Sequence, residues 1–367
     1  MPMGEYAVKK RVPSQLKAGA KIAIVMDFPS ANEVRLNKIL AGDFIISKIC
    51  RMAGIQVEDC MLTHVFQLKP AQDNPQNFFN KRSEYKALCK ESKWRSTYPI
   101  TTYGYLKQEM EQDLQRLYNE LNETNPNVII AMGGVSLWAL TGFDKVKIYR
   151  GAIIPSSSPH LNREFKVITS YPSYTVMKNY DFRAHVFSDF KKAKRESDTP
   201  NINYIERELW IEPTIEDLYT FKEKYIDKCD DLNPLSFDIE TAEGQTRCIG
   251  FAPSLKHAIV VPFWMPDPHF KSYWSSTEEE NKAWTWVKEI LEDEQTVKVA
   301  QNQTYDVSWL AFKNNVIVKG LIHDTMHAHH SLQPEMEKGL AFLGSIYTNE
   351  DAWKTLAKFS KSTKADE

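Results

Sequence analysis

Between Lys21 and Pro172 short apolar runs alternate with stretches of helical period, and few folds satisfy that alternation. KIAIVMDF (21–28), DCMLTHVFQL (59–68), NVIIAMGG (127–134) and KVITSYP (166–172) read as buried strands. FIISKICRMAG (44–54) reads as a helix closed by Gly54, and YLKQEMEQDLQRLYNELNE (105–123) as a long amphipathic one. VSLWALTG (135–142) turns helical after the third strand. The order strand, helix, strand predicts an α/β unit, a parallel sheet with helices on both faces in three layers. Ligands of such sheets sit at the carboxyl ends of the strands.

A chain of 367 residues has room for about two domains. A helix over 179–196 ends in cationic residues that suit its dipole, and SDTPN (197–201) then breaks the pattern. The boundary is therefore expected at 198, giving domains 1–198 and 199–367. The second domain offers INYIERELWI (202–211), a helix over 216–226, strands at 233–241, 247–253 and 257–264, and a helix over 277–293 with Thr277 as N-cap. A strand at 296–302, a helix over 304–315 and a short strand over 316–325 leading into a loop complete it.

Residues 1–198 carry 29 Lys and Arg against 20 Asp and Glu, a balance of +9, and the remainder carries 17 against 28, a balance of −11. A basic half meets polyanions and an acidic half collects divalent cations. Within 69–104, Phe78, Phe79, Tyr85, Trp94, Tyr98, Tyr103 and Tyr105 (just beyond it) are interleaved with Lys81, Arg82, Lys86, Lys90, Lys93 and Arg95. Such interleaving suits single-stranded nucleic acid; the alternative is an insertion packed on its own domain. The five cysteines are scattered without a CxxC pair, which speaks against zinc, iron–sulfur and disulfide frameworks. With no apolar run of membrane length and no secretory leader at the start, a cytoplasmic protein without a membrane partner is expected.

In FDIET, Asp238 and Glu240 are two apart on a strand and so share one face. Two adjacent carboxylates repel unless a cation sits between them, and hard ions such as Mg²⁺ or Mn²⁺ want such oxygens. In QNQTYDV, Asn302 precedes Asp306 by four, so the two share a helical face if the helix begins at Asn302. Asp306 lies among Tyr305, Val307, Trp309 and Leu310, where a carboxylate needs a partner. His323, His327, His329 and His330 invite a zinc reading, but no Glu or Cys is arranged beside them as a further ligand.

D-x-E on a strand followed by N-x-x-x-D on a helix resembles the first two motifs of the DEDD exonuclease superfamily. With FDIET, QNQTYD and HDTMHAHHSL, residues 200–350 are similar to the proofreading 3′-5′ exonuclease domain of family A DNA polymerases. EKGLAFLGSIYT (337–348) is similar to the helix that follows in bacteriophage members. The resemblance implies a ribonuclease H-like mixed sheet and a two-metal mechanism using Mg²⁺ or Mn²⁺. Carried over, Asp238, Glu240 and Asp306 are the catalytic, metal-holding residues, and Asn302 and Tyr305 contact the terminal nucleotide. The implied partners are single-stranded DNA 3′ ends and a DNA polymerase domain or subunit. The family's fourth carboxylate belongs to a later Y-x-x-x-D helix. Tyr347 and Asp351 have that spacing but follow directly on a stretch that in the family lies well upstream. Asp324 corresponds to an aspartate that follows the second motif and is not a ligand.

The first domain resembles the uracil-DNA glycosylase superfamily over about 20–190, through IVMDFPS, LTHVFQLKP, PNVIIAMGG and SYPS. The family's G-E-x-P-G and H-P-S are replaced by Met26-Asp27-Phe28-Pro29-Ser30 and Tyr171-Pro172-Ser173. The resemblance therefore implies a catalytically degenerate domain that keeps a DNA-binding surface. The expected function is proofreading removal of 3′-terminal nucleotides. The alternatives are a non-catalytic DNA- and polymerase-binding fragment and, behind it, a uracil-DNA glycosylase.

Overall fold

A computed structural model describes residues 10–92, 94–265 and 271–350. They fall into two compact units: one runs to Ile202 and resumes at Gly344, the other is Asn203–Leu343. The single boundary at 198 put everything after it in one domain; residues 344–350 instead pack with the first unit. Lys192, buried, donates from Nζ to the carbonyls of Gly151 (2.6 Å) and Thr348 (2.7 Å). A buried ammonium satisfied by carbonyls of two distant segments fixes both.

The first unit is built from β1 (Ile22–Met26), α1 (Ala31–Leu36), α2 (Phe44–Met52), β2 (Met61–His64), β3 (Phe79–Asn80), α3 (Arg82–Glu91) and β4 (Tyr105–Leu106). It continues with α4 (Glu111–Thr124), β5 (Val128–Met132), α5 (Gly134–Thr141), α6 (Val146–Tyr149), β6 (Ile153–Pro155), β7 (Lys166–Ser170), α7 (Ser173–Lys178) and α8 (Phe182–Glu196). The main sheet has the order β2-β1-β5-β7-β6, with the first four strands parallel and β6 antiparallel at the edge. Both faces are covered. Ala23 and Val25 pack with Leu114, Leu117 and Trp138 on one side. Ile22 and Ile24 pack with Ile46, Ile49 and Phe190 on the other. Burial on both faces is why these strands read as unbroken apolar runs.

Three local readings change. The long helix starts six residues later than its period suggested, because Tyr105–Leu106 pairs with Phe79–Asn80 and residues 108–110 form a 3₁₀ turn. Leu106, Met110, Leu114 and Leu117 all enter one core, so the apolar spacing ran on past the true start. The edge strand β6 was missed; it is three residues long and ends in Pro155, a residue suited to an edge. The helix expected over 179–196 begins at Phe182, after the separate α7.

The aromatic insertion packs on its own unit. Phe78 and Phe79 are buried, Tyr98 and Tyr103 lean on the same core, and Tyr85 stacks on Tyr105 at 3.8 Å between ring centroids. Trp94 donates from Nε1 to Glu111. Lys93 lies outside the described residues.

The second unit comprises β8 (Glu208–Trp210), α9 (Ile215–Tyr225), β9 (Leu235–Ala242), β10 (Gln245–Ala252), β11 (His257–Pro262), α10 (Thr277–Leu291), β12 (Lys298–Ala300), α11 (Gln303–Asn314), β13 (Ile322–Asp324) and α12 (Thr325–Leu332). α13 (Leu340–Tyr347) follows. The sheet order is β13-β12-β9-β10-β11-β8. β9, β10 and β11 are antiparallel, while β12 runs parallel to β9 and β13. This is the mixed sheet of a ribonuclease H-like domain. β9 and β10 are joined through Glu243 (φ 50) and Gly244 (φ 80), two left-handed residues flanked by the pair Ala242–Gln245, as a two-residue hairpin turn requires. Ser276, not Thr277, caps α10, accepting from the Glu279 amide. The expected loop after β13 is α12. Among the described residues no helix is long and apolar enough to cross a membrane.

Two buried carboxyls give the first unit a pH signature. Burial pushes Asp27 up to about 6, against hydrogen bonds from the start of α5 that lower it. Burial also raises Asp189 to about 6, against the Arg150 guanidinium at 2.6 Å and the Ser170 hydroxyl. In an unfolded chain both titrate near 3.8. Between the two values the folded state binds more protons, so the contribution of these two groups to stability is full below about pH 4 and is lost as pH rises through 6. Asp27→Asn is expected to remove about 2–3 kcal/mol of that fall. Urea midpoints of wild type and variant across pH 4–7 check it.

Candidate functional site

The site begins with an alternation. Along β9, Phe237 and Ile239 point into the core, and Asp238 and Glu240 are exposed on the opposite face, as the strand period requires. Opposite them on β10 stand Gly250 and Cys248. The Cys248 thiol is raised by burial and further by Glu240 and Asp238, so the negative field of the pair reaches the neighbouring strand.

The third carboxylate arrives through a split in the sheet. β12 pairs with β9 only at Leu235 and Ser236, and beyond that the strands part. The Ile239 amide, between Asp238 and Glu240 in sequence, donates to Asp306 Oδ1 at 3.1 Å instead. Asp306 lies in the first turn of α11 and is 4% exposed. Its carboxyl is raised above the usual range by burial, with the Ile239 bond opposing and Asp324 and Glu240 adding to the rise.

Asn302 does not share a helical face with Asp306. It is the residue before α11, in the left-handed region at φ 59, and the helix begins at Gln303. Asparagine tolerates that conformation better than most residues. Tyr305 is half-exposed, with its hydroxyl 2.9 Å from Thr241 Oγ1, one residue past Glu240.

Asp324 explains how α11 is held. Its carboxylate accepts from the amides of Asn302 (3.2 Å), Gln303 (2.9 Å), Met326 (2.8 Å) and His327 (3.3 Å). It therefore joins the N-termini of α11 and α12. Burial raises the group, but the four amides outweigh it and leave it below the usual carboxylate range. This role was hidden in the sequence, where Asp324 only preceded a supposed loop.

The histidines do not converge: His323, His327 and His330 are exposed, and His329 is buried, which lowers its pKa. Among the described residues no three or more His, Cys, Asp or Glu side chains gather closely enough to hold a metal ion. That applies to the histidines and to the three carboxylates alike. Tyr347 is half-exposed at the end of α13, and Asp351 lies outside the described residues.

In the first unit a cleft of about 480 Å³ opens at the carboxyl ends of β1, β5 and β7, lined among others by Asp27, Phe28, Tyr103, Met132, Pro172 and Tyr174. That is where such a sheet places a ligand. Asp27 Oδ1 accepts from the Ser136 amide at 2.7 Å. Gly133, at φ 125, lies so close that a Cβ there would stand 2.2 Å from the Asp27 carboxylate.

Residues 214–365 match the family model described as 3′-5′ exonuclease. No curated protein matches the chain. Among solved structures the chain is similar to the EXO domain of Nibbler from Aedes aegypti, at 10% identity and a TM-score of 0.30, over 41% of this chain and 74% of that one. RNase D of Escherichia coli, an exoribonuclease involved in structured RNA processing, is 14% identical with a TM-score of 0.30, over 40% and 34% of the two chains. RNase D of Trypanosoma brucei, in complex with RNA U12, is 14% identical with a TM-score of 0.31, over 42% and 52%.

Proposed function

We propose that this chain removes nucleotides one at a time from the 3′ ends of single-stranded DNA, in the manner of a proofreading exonuclease working with a DNA polymerase domain or subunit. The observation that carries this reading is the bond from the Ile239 amide to Asp306. It ties a buried carboxylate on a helix to the backbone between two exposed carboxylates on a strand. The three carboxylates do not converge into a closed metal site in this structure, and what supports the metal reading is their chemistry, oxygen donors of the kind that hard divalent ions, Mg²⁺ or Mn²⁺, take. When bound, two such ions activate a water and stabilise the leaving 3′ oxygen.

The chain's own residues do the rest. Asp238 and Glu240 present oxygens to the solvent side, where a phosphodiester can approach. Asp306 closes the site from within, its orientation fixed by one hydrogen bond. Asn302 and Tyr305 border that side and hold the terminal nucleotide, Tyr305 through a ring fixed by Thr241. The first domain is read as a DNA-holding partner to this site, without uracil excision. Asp27 is engaged by the start of α5, and Tyr171 stands where a histidine would be needed. The +9 balance of residues 1–198 gives a measurable consequence: affinity for a single strand falls steeply as salt rises, and a flat response would remove DNA holding from that domain.

Titration of the purified chain with Mn²⁺ tests the metal assignment. Saturable binding is expected, weakened at least tenfold by Asp238→Ala. Equal affinity in both proteins would remove Asp238 from the site. A chain that binds single strands but neither metal nor cleaves would be a binding fragment.

A further inference from the structure

Besides Asp306, α11 carries an aromatic stripe. Tyr305, Trp309 and Phe312 stand at spacings of four and three, which place them on one side of a helix. Tyr305 is 48% exposed and Phe312 is 88% exposed, a large apolar ring left in solvent. The Tyr305 and Trp309 rings stack at 5.9 Å with 29° between planes. Lys313 Nζ stands 5.8 Å from the Trp309 ring centroid. The four side chains line a shallow groove of about 530 Å³ that also includes Asn302.

The indole is not free to turn. Trp309 Nε1 donates to Thr246 Oγ1 at 2.9 Å, and Thr246 in turn donates to Asn314 Oδ1 at 2.8 Å. A fixed flat ring, a second ring open to solvent and a cation alongside make a surface on which bases stack and a phosphate pairs. The groove is continuous with the candidate site, because Tyr305 belongs to both. From Tyr305 to Phe312 it runs about 10 Å along the helix, the length of two or three stacked bases.

We propose that Trp309, Phe312 and Lys313 form a stacking platform for the nucleotides immediately 5′ of the terminal one. This rests on the exonuclease reading above and extends it from the end of the strand to its body. The platform reads rings and phosphates, so it accepts any base, and DNA and RNA strands share that chemistry.

The test uses the full chain with a chelator present to prevent cleavage. Fluorescence anisotropy measures binding of an oligothymidylate and an oligouridylate of about ten nucleotides, with thymidine 5′-monophosphate as competitor. Phe312→Ala is the main variant, since so exposed a ring contributes little to folding. It is expected to weaken oligonucleotide binding on the order of tenfold while leaving the affinity of the mononucleotide competitor unchanged. Phe312→Tyr, which keeps a ring, is expected to restore affinity. Lys313→Ala should lower affinity and flatten its salt dependence. The relative losses with the two strands state whether the platform serves DNA, RNA or both. If wild type binds and degrades strands and Phe312→Ala does so equally well, the platform is wrong, and the stripe is a surface for a protein partner. If wild type neither binds nor degrades them, the exonuclease reading fails first and the platform falls with it.

Discussion

Asp306→Asn is expected to yield a metal-free protein at least as stable as wild type at neutral pH, yet with 3′-end removal reduced on the order of a thousandfold. The two effects have separate causes. The amide oxygen can still accept from Ile239, so the link between α11 and β9 survives. The wild-type carboxyl is raised in the folded state, with burial the largest cause and Asp324 and Glu240 adding to it. A raised acid binds its proton more tightly folded than unfolded, so the stability it contributes at low pH is lost as pH rises through the raised value. An amide does not titrate and escapes that loss. It also offers no negative charge to a divalent ion. Thermal unfolding with and without Mg²⁺, beside initial rates on a labelled strand, separates the two. A variant that is less stable without metal, or that retains its rate, would show that Asp306 is a structural group.

Asp324→Ala should behave in the opposite way. Removing its carboxylate leaves four amides without their partner, at Asn302 and Gln303 before and in α11 and at Met326 and His327 in α12. Losing one helix cap costs about 1 kcal/mol, so losing two costs about 2–3 kcal/mol. Because α11 carries Asp306 and Tyr305, activity falls as well, without loss of any proposed metal ligand. Since the native carboxyl is held low, its contribution is present above about pH 4 and disappears as pH falls through the depressed value. Urea unfolding at pH 7 and pH 3 reads both: the gap between wild type and Asp324→Ala narrows in acid. An equal gap at both values would mean that the four bonds do not hold the helices.

These two aspartates also show what the sequence could disclose. The strand carrying Asp238 and Glu240 was legible because alternation on a half-buried strand sorts side chains by parity, and Phe237 and Ile239 fix which parity is buried. The strands of the first unit were legible as unbroken apolar runs because both faces are covered. What failed depends on partners distant in sequence. Asn302 looked helical by its spacing from Asp306, and only the amides donated to Asp324 place it before the helix. The early start given to α4 came from Leu106 and Met110, which enter the same core from non-helical backbone. For the aromatic run at 78–105 the sequence leaves two readings, a stacking surface or an insertion packed on its own domain, and the buried Phe79 and the stacking of Tyr85 on Tyr105 fit the second. On α11 the rings of Tyr305 and Phe312 are exposed and Trp309 is partly so, at a helical spacing legible in the sequence.

The central claim is the direction and chemistry of cleavage. A single-stranded oligonucleotide labelled at its 5′ end, incubated with the purified chain and Mg²⁺ or Mn²⁺, tests it most directly. The account predicts a ladder that shortens stepwise from the 3′ end, with mononucleotides as the first product from a 3′-labelled copy. It also predicts that the ladder vanishes on chelation and with Asp238→Ala. An intact strand, internal cuts, or release of the 5′ label as a mononucleotide would contradict it.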